Sequence, residues 1–150
     1  MAAPAAVYCG LVAANGLGGI AFHGPGDRAS HWLHDTALVG TLAAMGIERV
    51  GLASGLTGAA AVAIAVHPDA TNAASLVGGL LVAGGEVRRR RRSSVRSGAL
   101  LVAAAAVNAL TRSGGPCCRP DSRFQGHALW HVLTASAMAD WGRASFGGRS

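Results

Sequence analysis

Six long apolar runs, separated by polar residues or by glycine and proline, dominate this sequence. They are predicted to be six helices, with approximate bounds of 3–23, 30–47, 50–66, 71–86, 97–112 and 125–145. Only 13% of the residues are charged, whereas soluble domains carry about 25%. The alternative is a soluble alanine-rich bundle, but several of the runs lack the polar outer face that it needs. We therefore expect an all-α fold, a polytopic transmembrane helix bundle of about six helices, with residues 1–150 forming a single domain.

The positive charge of the chain is carried by arginine, because the sequence contains no lysine. The largest cluster is the segment EVRRRRRSSVR, between the fourth and fifth predicted helices. Basic residues accumulate on the cytoplasmic side of membrane proteins, so the loop 87–96 is predicted to be cytoplasmic in a bacterial-type inner or plasma membrane. The cluster is too local to favour a nucleic-acid partner. The expected partner is the lipid bilayer, whose anionic headgroups would attract the same arginines.

All six histidines fall at those ends of the predicted helices that lie opposite the arginine loop. This placement follows because short connections make successive helices antiparallel neighbours. The six are His23, His31, His34, His67, His127 and His131. Ionisable side chains are rare within membrane spans and usually functional, so we expect a shared site at the exterior side.

His127 and His131 lie four residues apart on the sixth predicted helix and therefore share one face. The same spacing lets two imidazoles bind one metal ion in the helical HExxH motif. With His23 as the third ligand, three histidines and one open position describe a catalytic zinc site. Iron and copper are the alternative ions.

Asp35 lies in the opening turns of the second predicted helix, at the same end as these ligands. It is predicted to hydrogen-bond the catalytic water as a base; the alternative is a carboxylate placed there by the helix dipole. His34 and His31 are either partners of the ligands or interfacial histidines. His67 is interpreted as a helix-end residue.

Three segments, GLGGIAFHG, LHD and HALWHVLT, resemble the signature segments of the alkaline ceramidases. They also resemble the wider superfamily that includes the adiponectin- and progestin-receptor family. The resemblance implies a seven-helix membrane fold with a buried zinc on His23, His127 and His131, and with Asp35 holding the water. The chain departs from the pattern at Gly19, where the family has serine, and in its helix number. We therefore expect a short form that lacks the family's first helix.

The expected function is that of a membrane-embedded zinc-dependent lipid amidase. Its substrate would be a membrane lipid with an amide bond, ceramide-like or another N-acyl lipid, which places the protein in sphingolipid or related lipid metabolism. A metal-activated water would cleave that bond. The alternative is a non-enzymatic receptor, sensor or metal-binding membrane protein of the same architecture.

Overall fold

The computed structural model describes residues 2–24, 26–47, 50–89, 92–111, 114–118, 122 and 126–147. Over these residues the chain is all-α, with six helices and no strand. The helices are α1 (Ala2–His23), α2 (Arg28–Gly46), α3 (Val50–Val66), α4 (Ala70–Arg89), α5 (Arg92–Thr111) and α6 (Gly126–Phe146). The prediction of six helices is confirmed, and the bounds of α1, α2, α3 and α6 agree with it to within two residues.

The arginine cluster is where the predicted helix bounds were wrong. A loop was predicted for 87–96, but α4 continues to Arg89 and α5 already begins at Arg92. Arg90 and Arg91 lie outside the described residues. Arginine has a high helix propensity because its long, unbranched side chain loses little rotamer freedom in a helix. A run of like charges therefore does not by itself end a helix.

The helices form two compact units, Met1–Arg89 and Arg90–Ser150. In the first unit, α2 is the central helix and contacts α1, α3 and α4. Its inward side is buried along most of its length, and Thr41 and Met45 are fully enclosed. That the whole chain is a single domain stays a prediction.

Close contact between α2 and α4 depends on glycine. A Cβ atom added at Gly46 would lie 2.7 Å from the backbone carbonyl carbon of Leu81. One added at Gly85 would lie 2.9 Å from the carbonyl oxygen of Gly46. Small residues of this kind let two helix backbones approach closely, which strengthens packing where few large side chains are available.

Asp27 begins α2 as its N-cap residue. Its carboxylate accepts a hydrogen bond of 2.7 Å from the backbone N–H of Ser30, and the Ser30 hydroxyl donates to the Asp27 carbonyl at 2.8 Å. These bonds satisfy polar groups that the first turn of a helix leaves without intrahelical partners. The backbone hydrogen bond from Ser30 lowers the pKa of Asp27 below its ordinary value, because it favours the charged form.

The second unit consists chiefly of α5 and α6, which pack against each other. Ala104 on α5 and Ala137 on α6 are buried. The hydroxyl of Ser97, itself buried, donates a hydrogen bond of 3.0 Å to the Asp140 carboxylate and so ties the two helices together.

Within the part of the chain that the structure describes, one helix is long and apolar enough to cross a membrane. It is Pro4–His23, with a mean hydropathy of 1.6, and only 11% of its apolar window is buried. Three apolar helical segments are shorter: Gly51–Val66, Ala73–Gly85 and Val95–Thr111. By length and composition alone, one described helix thus qualifies as a membrane span.

Candidate metal centre

The first turns of α6 present two histidines side by side. The Nε2 atoms of His127 and His131 lie 3.1 Å apart, and the two rings meet edge to face at 88°. Trp130 packs against both rings, with centroid distances of 5.0 Å and 4.4 Å. Two nitrogens that bind one zinc ion tetrahedrally at about 2.0–2.1 Å are separated by about 3.3 Å. The helix therefore already holds this pair at the spacing of two ligands.

His23, the last residue of α1, is the third ligand that the sequence predicts. It is exposed and lies in the first unit, whereas His127 and His131 lie in the second. The histidine pair of α6 has the chemistry and the spacing of two ligands of one divalent metal ion.

Asp35 and His34 form a hydrogen-bonded pair at the start of α2. The Nδ1 atom of His34 lies 2.9 Å from Oδ1 of Asp35, and the Thr71 hydroxyl donates to Oδ2 of the same carboxylate at 2.7 Å. The His34 side chain is 7% exposed and the Asp35 side chain 22%. Each carboxylate oxygen of Asp35 therefore has a hydrogen-bond partner, His34 of α2 for Oδ1 and Thr71 of α4 for Oδ2. We call these three hydrogen-bonded side chains the Thr71–Asp35–His34 chain.

Phe22 lies at the centre of the histidines in the first unit. Its ring is 4.8 Å from that of His23, 3.8 Å from that of His31 and 5.5 Å from that of His34. His31 is exposed and meets Phe22 edge-on, whereas His34 is buried and stacks on it. His34 is therefore the more enclosed of the two neighbours predicted for the site.

Two glycines of α1 face His34. A Cβ atom built at Gly18 would lie 2.8 Å from both the backbone nitrogen and the Cα atom of His34. One built at Gly19 would lie 3.4 Å from Cδ2 and 3.8 Å from Nε2 of the imidazole. The first distance is too short for any side chain, whereas the second is ordinary van der Waals contact. Gly18 therefore sets the approach of α1 to α2, and Gly19 leaves room beside the His34 ring.

A half-open groove of about 500 Å³ runs along α2 and α3 beside Asp35. It is lined by Arg28, Ala29, His31, Trp32, Asp35, Ile64, Ala65 and Pro68. Arg28 donates to the carbonyl of Ala65 at 2.7 Å, and the Trp32 indole donates to the carbonyl of Ala61 at 2.9 Å. The groove is mostly apolar, and the Asp35 carboxylate forms part of its wall.

Sequence reasoning missed Thr71 as a partner of Asp35. The available signal was its position, because Thr71 lies in the first turn of α4, the helix that follows His67. His67 is exposed and directly follows the last residue of α3, in agreement with its interpretation as a helix-end residue.

Comparison of the chain with protein-family models, with curated proteins and with solved structures found no match.

Proposed function

We propose that the protein is a membrane-embedded zinc-dependent hydrolase that cleaves the amide bond of a lipid, ceramide-like or another N-acyl lipid. The observation that carries the proposal is the histidine pair of α6, whose Nε2 atoms lie 3.1 Å apart, as two ligands of one metal ion would. Zinc held by three imidazoles polarises a scissile carbonyl and lowers the pKa of water toward neutrality. Imidazole nitrogen also suits iron and copper, and elemental analysis decides among the three.

Each side chain has a distinct task in this proposal. His23, His127 and His131 would hold the zinc ion, which would supply a Lewis acid for the scissile carbonyl and a water of lowered pKa. Asp35 is the general base that accepts a proton from the water and later donates it to the leaving amine. The groove beside it would receive an apolar chain of the lipid, and its volume of about 500 Å³ falls within the range of about 300–1,000 Å³ that is common for ligand sites.

The membrane location is supported by the apolar outer surface of the helices. Large apolar side chains are widely exposed, among them Ile20 at 74%, Val62 at 67% and Val102 at 72%. In water such a surface would favour aggregation, whereas lipid chains cover it without cost. We place the arginine cluster at the cytoplasmic face, by the charge asymmetry of membrane proteins, and the metal site toward the exterior.

The ligand assignment is tested by the metal content of the purified full-length protein in detergent. We expect about one zinc per wild-type chain, loss of zinc in His131→Ala, and retention of zinc in His67→Ala. The His67 variant is a matched control because that histidine is exposed and outside the metal group. Equal zinc in the wild type and His131→Ala would refute the ligand assignment.

The reaction is tested with a fluorescent N-acyl lipid. We expect hydrolysis by the zinc-loaded wild type and a loss of about 10²–10⁴-fold in Asp35→Ala, with zinc content unchanged. Removal of zinc by a chelator should abolish turnover, and zinc added back should restore it. A wild type that holds zinc and cleaves no N-acyl lipid would favour the non-enzymatic alternative, a receptor, sensor or metal-binding protein.

A further inference from the structure

The groove along α2 and α3 combines a charged end with apolar walls. Arg28 is the first residue of α2, and Trp32 lies one helical turn further on, so the two side chains share a face of that helix. Both line the groove, together with Ile64 and Ala65 near the end of α3. A cationic group beside apolar walls has the chemistry of a site for an amphiphile, a molecule with a charged head and an apolar chain.

One hydrogen bond holds the guanidinium of Arg28 in place. Nη2 of Arg28 donates to the backbone carbonyl of Ala65 at 2.7 Å. Ala65 belongs to the last turn of α3, whose carbonyls lack partners within the helix, so the bond also caps α3. A guanidinium carries five N–H donors in a rigid fork, and this bond uses one of them. Arg28 is exposed, so its other donors are accessible to a ligand, and such a fork binds phosphate oxygens bidentately.

Two carboxylates of α2 lie close to Arg28 in the sequence, and both are hydrogen-bonded to other groups. Asp27 accepts a hydrogen bond of 2.7 Å from a backbone N–H in the first turn of α2. Asp35 belongs to the Thr71–Asp35–His34 chain. In the part of the chain that the structure describes, Arg28 forms no ion pair with either of them. Its positive charge therefore complements an anionic group of a ligand in the groove.

The indole of Trp32 sets the depth of the groove in the membrane orientation proposed above. Its N–H donates to the carbonyl of Ala61 at 2.9 Å, which fixes the ring, and 39% of the residue is exposed. Tryptophan is enriched at the membrane–water interface, at the level of the lipid headgroups. Arg28 lies one turn, about 6 Å, closer to the start of α2 and thus on the headgroup side. The guanidinium can therefore meet a lipid phosphate while the apolar walls contact a chain.

We propose that the groove is a binding site for a phospholipid, with the phosphate held by Arg28 and one acyl chain lying against Trp32, Ile64 and Ala65. The lining residues all belong to the first unit, so the site needs no residue of the second. The binding requires neither metal nor turnover. As a statement about the substrate, the inference rests on the proposed function: it favours N-acyl lipids that carry a phosphate over ceramide, whose headgroup is uncharged.

The recognition of phosphate is tested by binding of a phospholipid with one fluorescent acyl chain to the purified full-length protein in neutral detergent. A diacylglycerol with the same labelled chain lacks the phosphate, and we expect it to bind about 10-fold more weakly. Glycerophosphate at the concentration of the phospholipid should not compete, because it lacks the chain that the apolar walls bind. Equal binding of phospholipid and diacylglycerol would overturn the proposal. Displacement of the phospholipid by glycerophosphate would show an anion site and would overturn the lipid as its occupant.

Variants of Arg28 test the residue itself. Arg28→Gln should weaken phospholipid binding about 10-fold and leave diacylglycerol binding unchanged, and Arg28→Lys, which keeps the charge but not the fork, should lie between. Arg143→Gln, at an exposed position of α6, is the matched control and should bind as the wild type does. Because Arg28 also caps α3, the thermal stability of each variant is measured in parallel. An Arg28→Gln variant that is less stable and binds phospholipid like the wild type would show that Arg28 only caps α3, contrary to the proposal.

A second variant fills the groove without changing its charge. Ala65→Phe places a ring at an exposed position of the apolar wall and should weaken phospholipid binding about 10-fold by displacing the acyl chain. Ala59→Phe is the control, since it makes the same change at an exposed position of α3 outside the lining of the groove. Equal affinities of the two phenylalanine variants would contradict the placement of the acyl chain.

The failure of this inference is distinguishable from the failure of the proposed function. Zinc-loaded and zinc-free protein should bind the phospholipid equally, because none of the three predicted zinc ligands lines the groove. If the zinc-loaded wild type binds phospholipid through Arg28 and cleaves no N-acyl lipid, only the proposed function is refuted. If it cleaves ceramide and binds phospholipid no better than diacylglycerol, only the phospholipid site is refuted.

Discussion

Replacing Gly18 by alanine should separate α1 from α2 and destabilise the first unit. The added Cβ would meet the backbone of His34 at 2.8 Å, and a backbone cannot rotate away as a side chain can. Overpacking of this kind costs about 1–3 kcal/mol, while alanine improves helix propensity over glycine by about 0.8–1.0 kcal/mol. The net effect is therefore a loss of up to about 2 kcal/mol in the free energy of unfolding.

Gly16→Ala is the matched control, because it makes the same change one half-turn earlier on α1, where a Cβ would meet nothing within 4 Å. Gly16→Ala should gain only the stability that comes from the higher helix propensity of alanine. The free energies of unfolding of the two variants should therefore differ by about 1–3 kcal/mol, the cost of overpacking at Gly18. Denaturant unfolding in detergent, followed by circular dichroism, measures this difference. Equal stability of the two variants would refute the conclusion that α1 and α2 are in backbone contact at Gly18. Such contact also predicts that Gly18→Ala perturbs the His34–Asp35 hydrogen bond.

Two further predictions concern polar groups away from the metal centre. The pKa of Asp27 is lowered by its capping hydrogen bond, so its stabilising effect is complete above its ordinary value of 3.8 and is lost as the pH falls through the lowered pKa. Between about pH 5 and pH 2, thermal stability should therefore fall more for the wild type than for Asp27→Asn, which caps a helix without titrating; parallel declines would contradict this. Ser97→Ala removes the hydrogen bond to Asp140 and should cost about 1–2 kcal/mol, whereas Ser136→Ala, at an exposed position of α6, should change the free energy of unfolding by less than about 0.5 kcal/mol. Denaturant unfolding of both serine variants checks the second prediction, and equal values would show that the Ser97–Asp140 bond contributes nothing.

Helix number and most helix ends could be predicted from the sequence, because both depend on neighbouring residues. The GPGD segment, for example, separates α1 from α2 by glycine, proline and a capping aspartate, and α2 begins directly after Asp27. The shared face of His127 and His131 follows in the same way from helical periodicity, and their 3.1 Å separation agrees with it. The ends of α4 and α5 were misjudged because charge was treated as a helix break, although arginine itself favours helix.

The contacts of Asp35 could not be read from the sequence. Its partner Thr71 lies 36 residues away, and only the packing of α4 against α2 brings the two together. The direction of the His34 ring depends likewise on its stacking with Phe22 and on the absence of a side chain at Gly19. Helical periodicity determines which residues three or four positions apart share a helix face. The position of a side chain between helices depends instead on packing against all the surrounding elements. Local sequence therefore specifies which helices form and which faces carry histidine, and tertiary packing alone decides which of these side chains meet.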